Sequence, residues 1–202
     1  MREVWAKLYP ESFFEFGFPY SGELSYGWRT GLMDTSTLMQ VVDELNRRGL
    51  PLTREESEIC LLLSEDIDSA RGFAADLRRH ETGESGDVWQ YYVCVTIVSA
   101  VAHLPTRFDL LDSAWADLDY PEGMRELIYP EGDLPSHLHV SAGSRALSEF
   151  MDAWQKRLSG RMPSNRVPNI ELLRKGVHLP SRRSGSAARY RSCRGSEWHR
   201  RT

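Results

Sequence analysis

The sequence predicts a mainly α fold: a single compact helical domain of about seven helices followed by a disordered basic C-terminal tail. The stretch Val88 to Leu104, VWQYYVCVTIVSAVAHL, carries no charge in seventeen residues, and thirteen of them are apolar. Its polar exceptions Thr96, Ser99 and His103 fall three and four apart, which is one face of a helix and not the alternation of a strand. Amphipathic stripes of helical spacing flank it on both sides, and a helix buried almost all round needs such partners. The composition, 41% apolar and 27% charged over 202 residues, is that of a globular protein. The β-branched run Val93 to Val98 also fits an interior strand, but strands rarely exceed ~10 residues. A membrane span needs ~20 predominantly apolar residues, and this shorter stretch contains Gln90 and His103.

The opening of the chain is dense in aromatics, from Trp5 to Trp28. Phe14, Phe16 and Phe18 alternate like a strand, yet Gly17 and Pro19 shorten any element, so a helical turn or an extended segment packed on the core is expected. From Thr35 to Arg48, Leu38, Val41, Val42 and Leu45 repeat as a helical stripe with Asp34 or Ser36 as cap and Gly49 as stop. Thr53 and Glu56 form a capping box opening a second helix, REESEICLLL, whose Ile59, Leu62 and Leu63 face the core. A third helix from about Ile67 presents Ala70, Phe73, Ala74 and Leu77. The polar run His80 to Asp87 then leads into the central helix, which Pro105 is expected to close. Phe108, Leu111, Trp115 and Leu118 mark the next helix, broken at Asp119-Tyr120-Pro121-Glu122. A short helix over EGMRELI follows, and Leu147, Phe150, Met151, Trp154 and Leu158 form the last stripe.

Charge divides the chain into an acidic helical domain, residues 1–159, and a basic low-complexity tail, 160–202. The first part holds fourteen basic against twenty-seven acidic residues, a net of −13, and the second eleven against two, a net of +9. The tail is too poor in apolar residues to offset its chain entropy. An acidic body repels nucleic acid, leaving only non-specific contact through the tail, and attracts a basic protein at long range. Three cysteines without CxxC spacing suggest neither a disulfide framework nor a zinc site, and Cys60 and Cys94 read as apolar fillers. The start MREVWAKLYPE lacks the apolar region of a signal peptide, so the expected compartment is the cytoplasm.

No P-loop, GxGxxG turn, HExxH helix or GxSxG elbow is present, so no catalytic residue and no cofactor is assigned and an enzyme is not expected. Asp66-x-Asp68 lacks the glycine of a calcium loop, because Arg71 stands at the sixth position. His137-x-His139 has no further ligand at a helpful spacing, so no metal is assigned. His103 reads as a core or boundary histidine, without a visible nucleophile beside it. The carboxylates offer more: Glu55, Glu56 and Glu58 line one helix start, and a second series runs from Asp109 to Glu122. Asp117, Asp119, Tyr120 and Glu122 are the candidate partner-binding residues. They combine three carboxylates, a large amphipathic ring and a turn stiffened by Pro121 within six residues.

Two stretches, SYGWRTGLM at Ser25 to Met33 and LLDSAWADLDYPEGMRELIYP at Leu110 to Pro130, resemble the signature regions of a bacterial domain-of-unknown-function family (number 2247). The similarity covers roughly residues 10 to 158 and stops before the basic tail. The resemblance implies a mostly helical bacterial cytosolic protein with no assigned catalytic residues. Members of such families are associated with toxin–immunity loci, so it also implies an immunity protein that neutralises a partner toxin through an acidic surface. A helical binding module with another partner, or an unrecognised enzyme, is the alternative.

Overall fold

The computed structural model describes residues 10–130, 132 and 134–167. The chain there is helical throughout, with no β-strand among the described elements. The tail expected from residue 160 lies outside the described residues from 168 on.

Eight α-helices follow one another: α1 (Ser21–Thr30), α2 (Thr35–Arg47), α3 (Arg54–Cys60), α4 (Ile67–Asp76), α5 (Asp87–Ala100), α6 (Leu104–Asp117), α7 (Arg125–Ile128) and α8 (Val140–Ser159). Short 3-10 turns at Pro10–Phe14, Leu77–His80, Glu122–Met124 and Pro163–Asn165 join or precede them. The caps anticipated from local sequence form: Asp34 Oδ1 accepts from Thr37 N–H at 2.7 Å, and Glu56 Oε2 accepts from Thr53 N–H at 2.8 Å. Gly49 stops α2 in the left-handed region, at φ 68°.

α5 is the organising element. It packs on α1, α6 and α8, and on the 3-10 turns that carry Phe13 and Met124. Trp89, Val93, Cys94 and Ile97 are fully buried, and burial pushes the Cys94 thiol pKa up. Phe13, Trp89 and Tyr92 meet at ring-centroid distances of 4.5 to 5.7 Å in tilted and edge arrangements. The helix is shorter than its apolar run. It ends at Ala100, and Val101, expected in the core, is only half-buried. The Arg107 side chain donates to the carbonyls of Val98 and Val101 at 2.7 to 3.2 Å, satisfying acceptors that the helix end leaves open. Pro105 therefore opens α6 instead of closing α5, and His103 is the N-cap of α6, its Nδ1 3.4 Å from Thr106 N.

Two further expectations are corrected. α3 stops at Cys60, and Leu63 is exposed, because the chain must turn at Leu61 to Asp66 to lay α4 against α3. The basic stretch also does not leave the body at residue 160. Arg166 and Val167 are buried, and Arg161 is largely covered, so the segment to Val167 belongs to the domain.

Candidate functional site

The four predicted contact residues form the reversal between α6 and α7. Asp119 and Tyr120 both lie in the left-handed region, at φ 64° and 55°, a conformation that side-chain-bearing residues seldom adopt in succession. Three bonds hold them there. Asp119 N–H donates to Ala116 O at 3.1 Å, Tyr120 N–H to Trp115 O at 2.9 Å, and Trp115 Nε1–H to Pro121 O at 3.0 Å. The Tyr120 ring stands edge-on to Trp115, with centroids 5.0 Å apart and planes at 87°, yet is 59% exposed. Pro121 does exclude the right-handed helix for Tyr120, as expected, but the result is a helix-closing left-handed turn and not an extended residue.

Asp117, Asp119 and Glu122 are exposed around this ring. Glu122 approaches Arg125 at 3.8 Å, an open pair of little energetic weight. Asp117 and Asp119 have no ion-pair partner among the described residues. Six carboxylates and one arginine occupy residues 109–126, so the stretch is net −5.

The stretch Ser25 to Met33 arrives beside it. Gly27 is a contact point for the core, since a Cβ there would lie 1.7 Å from Trp89 Cζ2. Trp89 Nε1–H donates to Glu23 O at 2.8 Å, and Trp28 Nε1–H to Thr35 Oγ1 at 3.1 Å. With Gly27 facing inward, Tyr26 and Arg29 are left at the rim of an open cleft of about 380 Å³ that Asp87, Gln90 and Asp119 also line. Arg29 donates through Nη2 to Glu81 Oε2 at 2.9 Å, and Ser25 Oγ to Glu81 Oε1 at 2.7 Å. Partial burial works to raise the Glu81 pKa, but the Arg29 and Ser25 hydrogen bonds outweigh it and the value falls below the ordinary one.

Other carboxylates leave the acidic surface altogether. Glu55 and Glu56, expected with Glu58 as a surface row, are buried. Glu55 meets Arg79 at 2.5 Å. Glu56 takes Arg166 in a two-pronged pair of 2.5 and 2.7 Å with both side chains fully covered. Glu23 takes Arg161 likewise, at 2.5 and 2.8 Å, under Tyr20, whose ring centroid lies 4.4 Å from the guanidinium. A larger pocket of about 500 Å³ runs under this segment, but Glu23, Arg161 and Arg166 there are already engaged with protein groups. His137 lies 3.7 Å from Asp109 at the surface. No family model, curated protein or solved structure matches the chain.

Proposed function

We propose that this chain is a bacterial immunity-type protein that binds a basic toxin in the cytoplasm through the surface centred on Asp117, Asp119, Tyr120 and Glu122. The observation that carries the reading is Tyr120: a large ring, 59% exposed, on a hydrogen-bonded left-handed turn beside Asp117 and Asp119, which have no ion-pair partner among the described residues. Left-handed, non-glycine residues cost of order 1–3 kcal/mol each and persist where the surroundings impose them. A rigid aromatic anchor loses little entropy on contact, and flanking like charges speed capture of an oppositely charged protein. Nothing in the arrangement asks for catalysis: a blocked toxin only has to be held.

The test is co-expression of the full chain with the toxin encoded beside its gene. Rescue of growth is expected for the wild type and for Asp43→Asn, and loss of rescue for Tyr120→Ala combined with Asp117→Asn. Rescue by the double variant at equal expression removes this surface from the contact. Capture of a basic protein that is not a toxin keeps the contact and removes the immunity role.

A further inference from the structure

We propose that the cleft between α1, the start of α5 and the 118–121 turn is a receptor for one arginine side chain, presented by the basic partner. The inference deepens the reading above and rests on its claim that the partner is basic.

Gln90 is the first support. It belongs to the most buried helix of the protein, is 7% exposed, and has no hydrogen-bond partner among the described residues. Without a partner among those residues and not fully covered, the amide keeps its hydrogen-bonding capacity open to a ligand. Its side chain lines the cleft. Gly123 leaves it room, for a Cβ at that position would lie 2.6 Å from Gln90 Oε1.

Charge is the second. Three carboxylates line the cleft, Glu81, Asp87 and Asp119, against the single cation Arg29. Arg29 is already spent on Glu81 through bonds of 2.9 and 3.2 Å. Asp87 and Asp119 are left over, and neither has an ion-pair partner among the described residues. An anion is repelled here, and a neutral ligand leaves both charges unanswered.

Shape is the third. A cleft of about 380 Å³ is near the lower end of ligand pockets, suited to one long side chain and too small for a folded segment. Asp87, Asp119 and the Gln90 amide line one cleft and give a cation several acceptors. A guanidinium has five donors in a fixed fork, whereas an ammonium is a point charge with three. The cleft also adjoins the candidate contact, because Asp119 belongs to both.

The experiment is a titration of the full ¹⁵N-labelled chain with N-acetyl-arginine amide, with the citrulline and lysine analogues as neutral and ammonium controls. Saturable shifts are expected at the Gln90 side-chain amide and the backbone of Asp87 and Asp119 with the arginine probe, none with citrulline, and weaker binding with lysine. Asp119→Asn and Asp87→Asn should each weaken the arginine probe about tenfold. Asparagine tolerates the left-handed conformation at 119, and an otherwise unchanged spectrum certifies the fold. Shifts absent at Gln90, equal with citrulline, or equal with lysine overturn the proposal. If the basic partner is captured with unchanged affinity by Asp87→Asn, the cleft is not its receptor, although the immunity reading survives. If the arginine probe fills the cleft but no basic protein is captured, the receptor stands and the immunity reading falls.

Discussion

Arg166 and Glu56 lie 110 residues apart in the chain and meet as a fully buried, two-pronged ion pair. Arg166 Nε–H also donates to Pro19 O at 2.9 Å, and Glu56 closes the capping box of α3, so three segments converge on one contact. A buried pair is expensive to desolvate, but removing one partner is worse, because the other charge remains in the interior. Arg166→Met should cost about 3–5 kcal/mol by urea unfolding. Glu56→Gln combined with Arg166→Met should be more stable than Arg166→Met alone, since no unpaired charge is left. A double variant less stable than Arg166→Met would show that the unpaired Glu56 charge is not what destabilises the single variant.

The same pair sets a pH dependence. Burial alone raises the Glu56 pKa, but the Arg166 charge and hydrogen bonds, with the Thr53 N–H, outweigh it and hold the group below its ordinary 4.5. The unfolded chain therefore takes up this proton more readily than the folded one. Its contribution is complete above pH 4.5 and declines as pH falls through the depressed folded value. Urea melts from neutral pH down to about pH 3 should show stability falling in the acid range. In Glu56→Gln the fall should be shallower, from a lower starting point. Equal slopes would place the acid sensitivity elsewhere, with Glu81 the next group to test.

Gly27→Ala sets two effects against each other. Alanine in a helix interior gains roughly 0.5–1 kcal/mol over glycine. Overpacking costs about 1–3 kcal/mol or more, and here the new Cβ would lie 1.7 Å from a ring that is fully buried and pinned to Glu23 O. Sterics should win by about 2 kcal/mol, lowering Tm by roughly 4 to 8 °C. A variant as stable as the wild type would mean that the Trp89 pocket can relax.

Local signals in the sequence account for most of the fold. The Thr53–Glu56 box, the Asp34 cap and the Leu38 to Leu45 stripe act within one or two turns, and each forms where its spacing places it. α1 was not legible, because Gly22 and Gly27 interrupt its periodicity; they are there for close approach to His80 O and the Trp89 ring. Pro105 was misassigned because proline both ends one helix and suits the first turn of the next, and only Arg107 capping α5 decides between them. The exposed Asp117, Asp119, Tyr120 and Glu122 could be seen as a charged turn, though not their left-handed backbone. Arg161 and Arg166 looked like part of a solvated basic tail, since composition cannot reveal that Glu23 and Glu56 wait 138 and 110 residues away. Gln90 read as one polar residue in an apolar run, and its lack of a partner is visible only in three dimensions.

Capture of a basic partner by the Asp117–Glu122 turn is a proposal about encounter kinetics. It is tested most directly by stopped-flow association of the full chain with the neighbouring toxin, at low and high salt, for the wild type and for Asp117→Asn/Asp119→Asn. Both replacements are exposed, and asparagine suits the left-handed backbone at 119, so Tm should stay within about 2 °C. Slower association is expected for the variant, with a shallower fall of its rate with salt, because rim charges act mainly on the encounter. Equal rates and equal salt slopes, with the fold intact, would contradict it.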